Sequence, residues 1–196
     1  MVTQQEIEIF ATADEERAVA TITAAFAADP VVRWIYPDAN QYATYWPRFV
    51  VPFGGGALRH GSADVAEDFA GVALWLPPGV GPDEEPIVAL LEESVAAAEK
   101  EDAYGFIEQQ SEMHPHEPHW YLPLIGVDPA HQGRGIGGAL LRHALERADR
   151  DGLPAYLEAT TERNKALYQR HGFEVVGVIQ YGASPPMWPM WREPRR

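Results

Sequence analysis

The chain of 196 residues contains no cysteine and only four serines, Ser62, Ser94, Ser111 and Ser184. Without a thiol no acyl group can pass through a cysteine thioester, and none of the serines sits in a GxSxG elbow, so a serine acyl-enzyme finds no support either. Positive charge is scarce too: 15 Lys and Arg stand against 29 Asp and Glu, a formal net charge of −14. Phosphate backbones are held by clustered Lys and Arg, so nucleic acid is not expected as a partner. No apolar run reaches the length of a membrane span. The first residues, with Gln4, Gln5, Glu6 and Glu8, lack the basic start and apolar middle of a signal peptide, so a cytoplasmic location with no membrane partner is expected. What remains, 46% hydrophobic residues with six Trp, eight Tyr and seven Phe, fits one domain over residues 1–196 with a single substantial core.

The most informative stretch is VDPAHQGRGIGGALL, Val127 to Leu141. Gln132, Gly133, Gly135 and Gly137 leave side chains out where an anion must approach closely. The helix that follows offers amides with no intrahelical partner and the positive end of its dipole. Leu141, Leu145 and Ala148 share one face of that helix, Arg142, Glu146 and Arg150 occupy another, and Gly152 stops it. The preceding HWYLPLIGV, His119 to Val127, reads as a buried strand. The unit is therefore strand, anion-binding turn, helix, and a pyrophosphate fits it. Gly133, Gly135 and Gly138 also satisfy GxGxxG, with Glu158 20 residues further on, the pattern of a dinucleotide fold. Such a domain needs further strand and helix units, and only residues 153 to 196 remain to supply them.

Read coarsely, a first strand near Ile7 to Ala11 precedes a helix from Asp14 to Ala28 and a second helical region from Asn40 to about Arg59. Strands follow around Ala63 to Glu67 and Phe69 to Leu76, then one long acidic helix from Asp83 to Asp102 and beyond. After the motif come a strand at Ala155 to Ala159, a short helix at Asn164 to His171, and strands near Glu174 to Gln180 and Met187 to Trp191. There are no repeats and no interdomain linker.

Two motifs in this order resemble the GNAT superfamily of N-acetyltransferases. Its cofactor signature is Gln or Arg, two residues, Gly, one residue, then Gly or Ala, and Gln132, Gly135 and Gly137 match it. Its second element, an Asn followed by a short helix carrying Leu-Tyr and ending in Gly-Phe, is matched by LEATTERNKALYQRHGF, residues 157 to 173. Within the superfamily the likeness is to puromycin N-acetyltransferase-like proteins, through these segments, WYLPLIGVDPAHQGRGIG and the early AVATITAAFAADP. Residues 54 to 112 resemble that group least. The resemblance implies an α/β (α+β) fold with a mixed, largely antiparallel sheet of about seven strands flanked by helices on both faces, and acetyl-CoA as co-substrate with no metal.

The resemblance also implies roles. Main-chain groups of Ile125, Gly126 and Val127 would pair with the pantetheine arm. Gln132, Gly133, Arg134, Gly135, Ile136, Gly137 and Gly138 would hold the pyrophosphate, with Asn164 and Tyr168 completing the cofactor wall. Pro123, which cannot donate to a ladder, marks either a local opening of the strand or an irregular strand start. Tyr168 matches the superfamily's general acid: a phenol of pKa about 10 can donate to a leaving thiolate of pKa about 8.5. The base is open among Glu158, a carboxylate in an apolar strand where burial would raise its pKa, His119 or Tyr121 at the entry of the motif strand, and ordered water.

The acceptor is expected among residues 26 to 53, where Phe26, Trp34, Tyr36, Tyr42, Tyr45, Trp46, Phe49 and Phe53 concentrate. Trp34 and Tyr36, in a loop between Pro30 and Pro37, are the candidates to face it together with Tyr121, while others of the set pack amphipathic helices. The cluster His114, His116, Glu117 and His119 is held extended by two prolines and reads as a loop at the rim rather than a metal site. Residues 83 to 102 carry eight acids against Lys100 alone, and 131 to 150 four arginines against two acids, so basic charge gathers at the turn. The acidic remainder favours a cationic amine. Three readings stand: an acetyl-CoA-dependent transferase acting on a small amine, the same fold acting on a protein or peptide amine, and a noncatalytic acyl-CoA-binding module. A homodimer is compatible with each.

Overall fold

Hydrophobic alternation in the strands and helical periodicity between them build a mixed sheet with helices on both faces. The computed structural model describes residues 7–195. The strands are β1 Ile9–Ala11, β2 Ala63–Ala66, β3 Gly71–Leu76, β4 Trp120–Val127, β5 Ala155–Ala159, β6 Glu174–Val175 and β7 Trp188–Arg192. The helices are α1 Glu15–Ala25, α2 Pro30–Ile35, α3 Ala39–Gly54, α4 Gly56–Arg59, α5 Glu84–Ser94, α6 Lys100–Met113, α7 Ile136–Asp151 and α8 Glu162–Arg170. The sheet order is β1-β2-β3-β4-β5-β7-β6. Among the described residues only β4 and β5 pair in parallel, and α7 connects them.

Each face of the sheet has its own core. On one, Ile136, Leu140, Leu141, Ala144 and Leu145 of α7 pack on Ala73, Trp75, Trp120, Leu122 and Leu157. On the other, Ala18 and Ile22 of α1 and Tyr42, Trp46 and Val50 of α3 pack on Val72, Leu74, Leu76, Tyr121, Leu124 and Tyr156. Strict alternation would put Leu124 on the face of Leu122, yet it lies on the face of Tyr121. The register explains this: Leu74 pairs with Leu124 but Leu76 with Tyr121, so β4 carries an extra residue, a bulge, at Leu122–Pro123. The pairing of β4 with β5 ends at the same point, at Leu122 with Leu157. Past Pro123 the two parallel strands have no mutual register.

Several elements differ from the sequence reading. The expected loop from Pro30 to Pro37 is largely helical: Asp29 caps α2, its carboxylate accepting from the Val31 and Val32 amides at 3.0 and 3.1 Å, with Pro30 at the first position. The acidic helix is two helices. Val95 turns extended and buries its side chain among Ile87, Leu91 and Ala103, while Ser94 bonds the Tyr36 hydroxyl at 3.0 Å. The second helical region splits at Gly55. The strand expected over Glu174 to Gln180 is paired only at Glu174–Val175, with one isolated bridge from Ile179 to Met187. Of the first expected strand, Ile7 and Glu8 stay outside β1. Among the described residues no helix is long and apolar enough to cross a membrane.

Candidate active site

The bulge at Pro123 leaves part of the main chain of β4 without a neighbour. Asp128 donates its N–H to the Ala70 carbonyl at 3.0 Å, on the β3 side. By strand alternation Gly126 and Leu124 face β3, so Ile125 and Val127 turn their N–H and C=O groups toward the gap beside β5. One of these groups is engaged: the Gln132 amide donates to the Val127 carbonyl at 3.2 Å and closes the turn.

That turn opens α7 with Gly133 at φ 79° and Gly135 at φ 87°, left-handed conformations that suit glycine, and no protein atom lies within 4 Å of where a Cβ would stand at either. Gly135 is the N-cap and supplies no side-chain cap, and the first bond of the helix runs from Ala139 to the Gly135 carbonyl at 3.0 Å. The amides of Ile136, Gly137 and Gly138 are therefore free to bind an anion at the positive end of the helix dipole.

These groups line one cleft of about 330 Å³. Of the residues expected to hold a cofactor, Ile125, Gly126, Val127, Gln132, Gly133, Gly135, Ile136, Gly137, Gly138, Asn164 and Tyr168 border it, and Arg134 does not. Arg134 reaches instead to Glu67 at 3.0 Å. Two arginines that the sequence reading did not single out, Arg163 and Arg170, are in the wall. Asn164 is inside the first turn of α8 rather than its cap. Thr161 is the cap, its hydroxyl accepting from the Asn164 amide at 3.1 Å.

Tyr168 borders both this cleft and a second, smaller cavity of about 100 Å³. The second cavity has apolar walls, among them Phe26, Ile35, Trp46, Phe49, Phe53 and Phe106, with Gln110, Glu158, Thr160 and Asn164 as its polar groups. Alternation along β5 puts Glu158 on the Tyr156 face, beneath the helices, where its carboxylate is enclosed by protein and borders the cavity. It accepts from the Tyr121 hydroxyl at 2.9 Å and from the Gln110 amide at 3.4 Å. Burial outweighs these bonds and pushes its pKa up to about 7. Burial also pushes the Tyr168 phenol well above its ordinary value, helped by the negative charge of Asp29. Asp29 borders the cleft, caps α2 and accepts from the Thr160 hydroxyl, and burial raises its own pKa. Sequence reasoning missed it, although an Asp directly before Pro at a helix start is a legible capping signal.

The remaining candidates lie apart from both cavities or at their edges. His119 is buried, points its Nδ1 at the Glu117 carbonyl at 2.6 Å and packs against Tyr156 and Trp191, bordering neither cavity. His114 lies 5.0 Å from it, ring to ring, with its pKa lowered to about 4 by burial and then by His119 and His116. Trp34 is on α2 and packs on Phe106 at 5.6 Å without reaching the cavity, so its expected place in a ligand-facing loop is not what the fold gives it. Tyr36 does border the second cavity, but its hydroxyl is held by Ser94.

Known proteins resemble the chain in sequence and in fold. A family model described as an acetyltransferase (GNAT) domain matches residues 90–175, from α5 to β6. The chain is similar to an uncharacterized N-acetyltransferase of Schizosaccharomyces pombe, 26% identical over 92% of this chain and 80% of that protein. It is also similar to N-alpha-acetyltransferase RimI of Mycobacterium tuberculosis, 54% identical over a stretch covering 28% of this chain and 34% of that one. A crystal structure from Corynebacterium glutamicum, named as histone acetyltransferase HPA2 and related acetyltransferase, superposes with a TM-score of 0.69 at 29% identity over 98% of both chains.

Proposed function

We propose that this acyltransferase belongs to the GNAT superfamily, which it resembles in sequence and fold, and that it moves an acetyl group from acetyl-CoA directly onto the amine of a small molecule with an apolar body. One observation carries this reading: Tyr168 is common to the glycine-turn cleft and to the aromatic cavity. A donor bound along the first and an amine bound in the second would meet at its hydroxyl.

The cleft suits the donor. Free amides at Ile136 to Gly138 fit a diphosphate, and the unpaired edge at Ile125 and Val127 fits an amide-bearing arm added like a strand. Acetyl-CoA brings a thioester, whose carbonyl needs a hydrogen-bond donor and whose sulfur leaves as a thiolate. Tyr168, kept protonated by burial and by Asp29, donates its proton to that sulfur as the C–S bond breaks, and the second proton shed by the attacking nitrogen restores the phenol. Glu158, with a pKa near neutrality, takes one from the incoming ammonium, and the Tyr121 hydroxyl and Gln110 amide hold its carboxylate in place. With no cysteine in the chain, direct attack by the amine is the consistent route.

The second cavity supports a small acceptor. Aromatic and aliphatic side chains surround a space of about 100 Å³, the size of a single ring rather than a peptide backbone with its flanking residues. The likeness of the two cofactor segments to puromycin N-acetyltransferase-like proteins points the same way. A protein amine is the second reading, favoured by the RimI similarity, which covers 28% of the chain. A cytoplasmic location belongs with the leading reading. Thiol release from acetyl-CoA, measured across a panel of small amines with puromycin included and a set of peptides, separates the two. Release with small amines supports the proposal, and release with peptides alone overturns it.

A further inference from the structure

The smaller cavity is one-sided in charge. Among the described residues that border it, Glu158 is the sole charged side chain, and no Lys, Arg or His joins it. Cations on the elements around it are engaged elsewhere. Arg48 of α3 donates to both carboxylate oxygens of Glu93 at 2.8 and 2.7 Å, and Arg33 of α2 reaches the Pro37 carbonyl at 2.6 Å. Arg163 and Arg170 border the glycine-turn cleft and not this cavity. The His114 ring lies 4.8 Å from that of Tyr121, but it borders neither space, and burial lowers its pKa to about 4, so it is neutral at neutral pH.

Most neutral donors in the wall are also occupied, and several of them by carboxylates. Val31 and Val32 border the cavity at the start of α2, yet both amides donate to Asp29, at 3.0 and 3.1 Å. The Thr160 hydroxyl donates to Asp29 as well. The Tyr121 hydroxyl and the Gln110 amide donate to Glu158, and the Tyr36 hydroxyl is bonded to Ser94. Pro123 has no N–H to offer. What remains is neutral, the carboxamide of Asn164 and the buried, unpartnered indole N–H of Trp46, and such donors do not offset a whole buried charge. An α-amino acid bound with its nitrogen at Glu158 would bring a second carboxylate beside the first. Like charge there would hold the proton on Glu158 when that group must accept one.

We propose that the acceptor is an amine whose α-carbon bears no carboxylate, and that the charge of the cavity, rather than its size, rejects the parent amino acid. The proposal rests on the reading that this cavity takes a small amine. The class of reaction that makes such an amine from an amino acid is decarboxylation, in which the bond from the α-carbon to the carboxylate breaks, a proton takes its place and carbon dioxide leaves. Thiol release from acetyl-CoA by the full chain, measured with matched sets of compounds, tests the proposal without a variant. The sets are phenylethylamine, phenylalanine and phenylalaninamide; tryptamine, tryptophan and tryptophanamide; isopentylamine, leucine and leucinamide. In each, the amide keeps the bulk of the amino acid at the α-carbon and carries no negative charge. In every set that gives turnover, kcat/KM for the amino acid is expected to lie at least about 10²-fold below that of the amine, and that of the amide within about tenfold of the amine. An amino acid as good as its amine would overturn the proposal and leave the small-amine reading intact. An amide as poor as the amino acid would do the same, by assigning the rejection to bulk. No release from any set would overturn the proposal, and release from peptides alone would overturn the small-amine reading with it.

Discussion

In the proposed mechanism two side chains carry the chemistry, and burial raises the pKa of both. Tyr168 is buried beside a carboxylate, so it stays protonated through the neutral range and can present its O–H to the departing sulfur. Tyr168→Phe removes that donor but keeps the ring that packs on Phe173 at 6.1 Å. Turnover is expected to fall by about 10²-fold with acetyl-CoA affinity nearly unchanged, as steady-state kinetics and calorimetry would show. Unchanged turnover would take Tyr168 out of the mechanism. Glu158 is the reverse case, a carboxylate whose pKa is raised from the ordinary 4.5 to about 7. It must be ionised to accept a proton, so kcat/KM is expected to rise with pH through an apparent pKa near 7, and Glu158→Gln should abolish that limb.

The same shift has a stability consequence of definite sign. Because the folded-state pKa lies above the unfolded one, the contribution of Glu158 is fully present below about pH 4.5 and is lost as pH rises through 7. At about pH 8 the carboxylate costs up to about 3 kcal/mol. Glu158→Gln is therefore expected to melt at a higher temperature than the unmodified chain at that pH while being the slower enzyme. A lower melting temperature there would contradict the burial argument.

At the scale of elements, the glycine turn and α7 are where sequence and structure agree most closely, because the constraint is local. Left-handed φ at Gly133 and Gly135 and the stop at Gly152 are backbone requirements that a sequence states outright. Gly135→Val is expected to cost about 1–2 kcal/mol of stability through its positive φ and to weaken acetyl-CoA binding by at least about tenfold, since its side chain would enter space that the protein leaves open. Denaturant melts and calorimetry check the two effects separately. Weakened stability with unaltered binding would mean that the open space is not the diphosphate's.

Where tertiary contacts decide, the sequence is less informative. The helical pattern from Asp83 onward runs straight through Val95, and only burial of Val95 beneath the α2–α3 layer breaks it. The valines at 175, 176 and 178 favour a strand by composition, but past Val175 the regular ladder gives way to one bond from Val176 to Pro189 and one bridge between Ile179 and Met187. The site divides in the same way. Gln132, Gly133, Gly135 to Gly138, Asn164, Tyr168 and Glu158 border the cavities and sit in contiguous motifs from which they can be named, whereas Arg134 sits in the same turn and reaches to Glu67. Asp29 and Gln110 come to the cavities from separate parts of the chain, and no spacing rule links them; Arg163 and Arg170 lie in the same segment as Asn164 and Tyr168 but match no position of its motif. Trp34 illustrates the opposite error: its aromatic character is legible, but its direction depends on α2, whose Asp-Pro start is the signal that sequence reasoning passed over.

For the molecule as a whole, charge is the property with the widest reach. A net charge of −14 belongs to a molecule whose glycine-turn cleft has Arg163 and Arg170 in its wall and whose apolar cavity is bordered by Glu158. On the proposed function a cationic amine would be drawn to such a surface from a distance, whereas the anionic donor would rely on the free amides and arginines of the cleft. Raising ionic strength from about 0.01 to about 0.15 M shrinks the Debye length from about 30 to about 8 Å. The rise should lower kcat/KM for a cationic amine several-fold and leave an uncharged amine of similar shape little affected. Equal salt sensitivity for the two acceptors would assign the effect to folding or donor binding instead.

The central claim is that donor and acceptor occupy adjoining cavities at the same time and that the acetyl group passes between them without resting on the protein. Initial rates measured over a grid of acetyl-CoA and acceptor concentrations test this directly. Double-reciprocal lines that intersect are the expected result, since both substrates must be bound before either product leaves. Parallel lines, the mark of an acetylated enzyme released from its first product, would contradict the account.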